Sequence, residues 1–332
     1  MSFPHSHKTV IVLDRSPHFL RSSKQNVEFD VFTKSRVPGI IPLAPIVKSL
    51  WTCNVEAAIE YCRIVYDIYP QNKLIQLVLS DTVATTVNSW EQQEQNIQKL
   101  MLTLARQGPP SQASARSDEN NIIYGLTEAV ELLCQPTSTQ HARRTTLSDS
   151  PLSVANRGRI ICLTSLKSES HIHMIEECMQ DVLTQHNSLA ASTDNLMPLS
   201  HLELVLVHVV PVSHESAISH KPGREISSHL WSEVHVSQSG RFIATKMVEL
   251  SMQHFKLSCT TVTGIPMKEE QNASSSANYD VELLHSRQTH LEVSRTGVGA
   301  VEGMIMPSKE GLFIDTVTLK WCTPRTNAVG KE

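Results

Sequence analysis

Lys8-Thr9-Val10-Ile11-Val12-Leu13-Asp14 is the stretch on which the fold turns, a strand-length run that is apolar through its middle and ends in a charged turn. A strand with one wet face alternates apolar and polar residues. One buried on both faces does not, and such strands belong to parallel sheets covered by helices. Leu74–Leu79, Arg159–Thr164 and Leu202–Val209 have the same character. Helical periodicity fills the intervals between them. After Ser49, Ala58, Tyr61, Cys62, Val65 and Ile68 recur at three- and four-residue steps until Pro70. Ser89 is the expected N-cap of a helix to Arg106 with Ile97, Leu100, Met101 and Leu104 inward, closed by Gly108-Pro109-Pro110. Further helices are expected over Ile122–Cys134, over Glu169 to about Leu189, and from Ser239-Gly240 through Phe255. Alternating strands and helices specify an α/β domain over residues 1–256, with a doubly wound, mostly parallel sheet. Within it, the polar residues 135–156 lack apolar periodicity and predict a mobile insertion loop.

Beyond Phe255 the pattern changes. Leu257–Thr263, Tyr279–Leu284 and Leu312–Trp321 are strand-like with no helix between them, and Thr316–Trp321 alternates as an antiparallel strand does. Residues 257–327 are expected to begin a β-barrel domain. So few strands leave open edges, which predicts a truncated unit, followed by a short tail at 328–332.

No window approaches the ~18 consecutive apolar residues of a membrane helix, and Met1–Lys8 has no secretory pattern, so an intracellular chain without a membrane partner is expected. A net charge of −4 argues against a chain that grips nucleic acid by itself, leaving only weak contact or contact within a complex. The seven cysteines contain no C-x-x-C pair and predict reduced, mostly buried thiols.

Ligands in open α/β sheets bind at the carboxyl ends of the strands. Asp14-Arg15-Ser16-Pro17-His18 follows the first strand. It begins the D-x-S-x-S signature with which von Willebrand A domains hold a divalent cation, but ends in His18, a poor ligand for hard Mg²⁺. Where that pattern places a second aspartate, the third strand ends in Thr164-Ser165. Asp14, Ser16 and Thr164 therefore read as a degenerate remnant, with Asp14 capping a turn, no resident metal and no cofactor. A metal-dependent ligand binder using these three residues is the alternative. Other candidates are weaker. His171 and His173 point to different sides of a helix, Cys162 lies inside a buried strand, and Gly297–Gly303 lacks the lysine of a phosphate loop. Arg143-Arg144 and Arg157-Gly158-Arg159 read as solubilising charges rather than phosphate contacts. No G-x-S-x-G or other nucleophile elbow is present, so no catalytic residue is assigned.

Seven blocks together resemble the asunder family, also called Integrator complex subunit 13 or cell cycle regulator. They are Ser6–Asp14, Gly39–Pro45, Lys48–Cys53, Glu60–Ile64, Asn156–Cys162, Asn278–His285 and Leu319–Asn327. The resemblance implies a von Willebrand A-like domain, then a β-barrel, and a noncatalytic scaffold subunit of the Integrator complex. That complex acts in small nuclear RNA 3′-end processing and transcription attenuation. Also implied are heteromeric pairing with Integrator subunits 14 and 10, roles in mitosis and spermatogenesis, and dynein localisation at the nuclear envelope. The implied location is nuclear, with cytoplasmic and perinuclear pools. Gly39–Pro45 is so apolar that it is expected either to bind a partner or to pack on its own sheet.

Overall fold

A seven-stranded sheet organises the first of two units in the computed structural model. The structure describes residues 8–26, 47–71, 73–111, 121–146, 154–269, 272–286, 307–308, 311–312 and 318–324. One unit comprises the chain to Cys62 and Gln71–Met247, the other Arg63–Pro70 and the chain from Val248.

The strands are β1 (Lys8–Asp14), β4 (Leu74–Ser80), β5 (Ala84–Thr86), β6 (Arg157–Thr164), β7 (His201–Val210), β8 (Lys221–Ser227) and β9 (Leu230–Gln238). Their order is β5-β4-β1-β6-β7-β9-β8. From β4 to β9 all neighbours are parallel, while β5 and β8 are antiparallel edges. Every residue of β1 and β4 is buried, which explains why their sequences do not alternate. A separate pair, β2 (Ser22–Asn26) and β3 (Val47–Ser49), lies outside this sheet.

The helices are α1 (Leu50–Ile68), α2 (Ile97–Gln107), α3 (Asn121–Cys134), α4 (Ser138–Thr146), α5 (Glu169–Ser192) and α6 (Arg241–His254), of which α3 and α5 pack on one face of the sheet. Val10, Val12, Ile160 and Cys162 form one core with Leu126 and Val130 of α3 and with Ile172 and Met179 of α5. On the other face of β1, Ile11 and Leu13 are buried too. The two faces together are the doubly wound arrangement expected from the sequence.

Several expectations change. The helix expected from Ser89 starts at α2, where Asn96 is the N-cap and accepts from the Lys99 amide, and Met101 is 54% exposed rather than inward. The insertion at 135–156 is not loop throughout. Thr137 and Gln140 make reciprocal bonds, Gln140 N donating to Thr137 Oγ1 and Thr137 N to Gln140 Oε1, and this capping box starts α4. Asn156 fixes the far end. Its Nδ2 donates to Leu133 O (2.9 Å) and Met197 O (3.0 Å), and its Oδ1 accepts from Gln140 Nε2 (3.2 Å). The hairpin β8–β9 was not foreseen. It is fastened to α5 by Lys221–Glu169 and Arg224–Glu176 ion pairs. Gly39–Pro45 and Gly297–Gly303 lie outside the described residues.

Only three residues of β5 cover the outer edge of β4, and side chains cover the rest. Asn88 Oδ1 accepts from Leu77 N (2.9 Å), Asn88 Nδ2 donates to Ile75 O (2.8 Å), and Gln95 Oε1 accepts from Ile75 N (2.8 Å). Val87 N completes the row by donating to Leu77 O (2.8 Å).

In the second unit β10 (Leu257–Glu269), β11 (Asn272–Ser286) and β14 (Thr318–Pro324) form an antiparallel sheet in that order. β12 (Pro307–Ser308) and β13 (Gly311–Leu312) make a two-residue ladder. The antiparallel reading of this region is correct.

Candidate functional site

The carboxyl end of the sheet carries a polar row across four strands. Register pairs Asp14 of β1 with Ser80 of β4, and Thr164 of β6 with His208 of β7. Pleating puts them on the face of Val10 and Val12, because side chains two apart share a side. Thr164 Oγ1 closes the middle of the row by donating to Asp14 Oδ2 at 2.6 Å.

Each member of the row is held by the chain. Asp14 Oδ1 accepts from Ser16 N (2.8 Å), the turn expected of an aspartate two residues earlier. Ser80 Oγ accepts from Gly125 N (2.9 Å). Gly125 is required there, because a Cβ would lie 2.5 Å from Ser80 Cβ and 2.8 Å from Val12 Cγ1. His208 Nδ1 accepts from Leu166 N (2.9 Å), and one residue on, Lys167 N donates to His171 Nδ1 (3.2 Å). Both imidazoles are thus neutral acceptors at Nδ1. Arg15 Nη2 crosses to Gln107 O (2.6 Å) and Pro109 O (3.1 Å), closing the end of α2.

Electrostatics follow from burial. Asp14 is buried, which raises its carboxyl pKa against the opposing bonds from Thr164 and Ser16. Burial and the nearby His18 lower His208 to about 4. The Cys162 thiol is pushed well up by burial and by Asp14, so it is an inert packing group.

This donor set does not fit the hard divalent cation of a von Willebrand A domain. Such an ion takes six or more oxygens, whereas the row holds one carboxylate with both oxygens engaged, and the hydroxyls beside it are already bonded, Thr164 Oγ1 to Asp14 and Ser80 Oγ to the Gly125 amide. Within the Asp14–His18 turn the buried side-chain polar atoms without a hydrogen bond are Arg15 Nε and His18 Nε2, neither of them an oxygen. Among the described residues no group of three or more His, Cys, Asp or Glu is placed to hold a metal.

The structure brings Asp14, Ser16 and Thr164 together and adds Ser80 and His208 to the row. Nothing local marks those two, since only sheet register aligns them. The other candidates disperse. His171 and His173 sit on α5, where His171 binds the Lys167 amide and His173 Nδ1 lies 3.5 Å from Glu176. Arg159 is buried against Glu203 (Nε to Oε2, 2.7 Å), and Arg144 donates to the carbonyls of Asp194 and Leu196, so neither is a free phosphate contact.

The chain is 51% identical to mouse (Mus musculus) Integrator complex subunit 13 over 329 residues, covering 98% of this chain and 44% of that protein. It is 38% identical to Protein asunder of Drosophila ananassae over 336 residues, covering 97% of this chain and 48% of that protein. The chain therefore spans less than half the length of these relatives. Among solved structures it is similar to a mutant PilB minor pilin from Streptococcus sanguinis, with a TM-score of 0.46, 10% identity and 76% and 62% of the two chains covered. It is also similar to a von Willebrand factor type A protein from Catenulispora acidiphila, with a TM-score of 0.37, 9% identity and coverages of 80% and 46%. A family profile described as "Cell cycle and development regulator Mat89Bb" matches residues 3–331, nearly the whole sequence, and the chain belongs to that family.

Proposed function

We propose that this chain is a noncatalytic interaction module of the Integrator complex. The observation that carries the reading is 51% identity to Integrator complex subunit 13 along almost the entire chain. The chemistry of the polar row supports it, because Asp14, Ser80 and His208 accept from the chain's own donors and Thr164 donates to Asp14 instead of presenting a nucleophile with a base. In this reading the α/β domain of residues 1–256 is a rigid binding body, and residues 257–327 begin a β-barrel domain. The partners are Integrator subunits 14 and 10. The location is nuclear with cytoplasmic and perinuclear pools, and the processes served are small nuclear RNA 3′-end processing, transcription attenuation, mitosis, dynein localisation and spermatogenesis.

Co-purification of the 332-residue chain with subunit 14 tests this. A stoichiometric complex that melts above either component supports the module. A lone chain whose size and melting temperature ignore the partner overturns it. The alternative, a metal-dependent binder using Asp14, Ser16 and Thr164, requires Mg²⁺ to raise the melting temperature and chelator to lower it.

A further inference from the structure

We propose that β2 is an autoinhibitory strap, a segment of the chain that closes the carboxyl end of β7 and β9 and is held shut by Gln25. This end of an open α/β sheet is where ligands are received, and a helix starting there turns unpaired amides toward them. In this protein β2 occupies the position. Ser23 is fully buried, and its carbonyl accepts from Val212 N (3.0 Å), just past β7, and from Ser239 Oγ (3.1 Å), just past β9. Gln25 Oε1 accepts from Arg241 N (3.0 Å), the first amide of α6. Gly240, at φ 72°, leaves the room, because a Cβ there would fall 1.3 Å from Gln25 Oε1.

The strap is tied to β3, through the Ser22–Ser49 and Asn26–Val47 pairs, and not to a strand of the seven-stranded sheet, so it can leave β7 and β9 without breaking a sheet ladder. Its central residue, Lys24, is a non-glycine at φ 59°, and the segment it meets turns at Ser213, at φ 64°. Both conformations are costly for residues with a side chain, so strain opposes the bonds that hold the segment down. Lys24 and Gln25 lie at the surface or half-buried, and among the described residues Lys24 Nζ reaches His214 Nδ1 at 3.4 Å. Binding at this end of the sheet requires the strap to lift, and Gln25 is the group that decides how often it does.

Residue-resolved hydrogen–deuterium exchange on the whole 332-residue chain tests this. The decisive amide is Val212, which is bonded to Ser23 and does not touch Gln25. Gln25→Ala is expected to accelerate Val212 and Arg241 together by about tenfold, leaving Val10–Leu13 of β1 unchanged. Gln25→Glu keeps the acceptor and adds charge favoured at a helix start, so both amides are expected to slow. Acceleration of Arg241 alone overturns the proposal and makes Gln25 a simple cap. Acceleration of Val212 together with the β1 amides also overturns it, because the segment then opens only with the whole unit.

Discussion

Asn156→Ala is the most informative single perturbation of the α/β unit. The side chain, 1% exposed, joins the end of α3, the start of α4 and the approach to β7 through three hydrogen bonds. Leu133 O keeps a partner after truncation, because Lys8 Nζ also donates to it. Met197 O and Gln140 Nε2 lose the partner that Asn156 gave them. At about 1 kcal/mol net per bond, with a further penalty for the two groups left buried, the cost is about 3 kcal/mol. For a unit of this size that lowers the melting temperature by about 6–12 °C. Urea unfolding followed by far-UV circular dichroism measures it, with the denaturant slope expected to stay constant. Asn156→Asp should be worse near neutral pH, since a carboxylate would face two carbonyl oxygens. Its folded-state pKa would be raised, so its stability should recover on acidification and fall again as pH rises. A cost below about 1 kcal/mol for Asn156→Ala would refute the reasoning and return residues 135–156 to the status of an unanchored insertion.

Asp14→Asn should change stability by no more than about 1 kcal/mol at neutral pH, because losing one of the two oxygens that accept from Thr164, Ser16 and Ser165 is offset by removing a buried charge. Wild type loses stability as pH rises through Asp14's raised pKa, and the variant should lack that loss in melting curves taken across acidic pH; a large destabilisation instead would mark the carboxylate as essential. Lys8 is buried against Leu133 O and Gln135 O, and burial lowers it from 10.5 to about 7. Above pH 7 the unfolded chain therefore holds a proton that the folded one does not, so stability should rise from about pH 7 towards pH 10.5, the ordinary lysine value, by up to ~1.4 kcal/mol per unit. In Lys8→Met that slope should vanish from the urea midpoints. Gly125→Ala drives a methyl group into Ser80 and Val12 and should cost about 3 kcal/mol by the same assay, whereas a neutral result would mean α3 can shift outward freely.

The parallel core was legible because burial on both faces leaves its mark in composition, as in Val10–Leu13 and Ile160–Leu163. The β8–β9 hairpin was not. Lys221-Pro222-Gly223-Arg224 is polar because β8 is an outer edge, and its attachment to α5 is ionic rather than apolar. α4 escaped for a related reason, since its anchors are Thr137, Gln140 and Asn156. Thr137-Ser138-Thr139-Gln140 nevertheless spells the box that starts it. Met101 was misplaced because only Leu100 and Leu104 of α2 are buried. Of the polar row, Asp14, Ser16 and Thr164 were found through a motif. Ser80 and His208 depend on register, which arises from long-range strand pairing and has no local signature.

The side-chain amides along β4 limit how copies or partners can join this protein. From Ile75 to Leu79 each outward peptide group is met by β5, Asn88, Gln95 or Val87. Asn88, with one acceptor and one donor in line, reproduces a peptide unit without continuing a strand. An incoming strand therefore finds no template on β4 and only the three residues of β5 beyond it, too short a ladder to seed pairing. Runaway sheet-to-sheet polymerisation is thus blocked on that flank by two amide side chains.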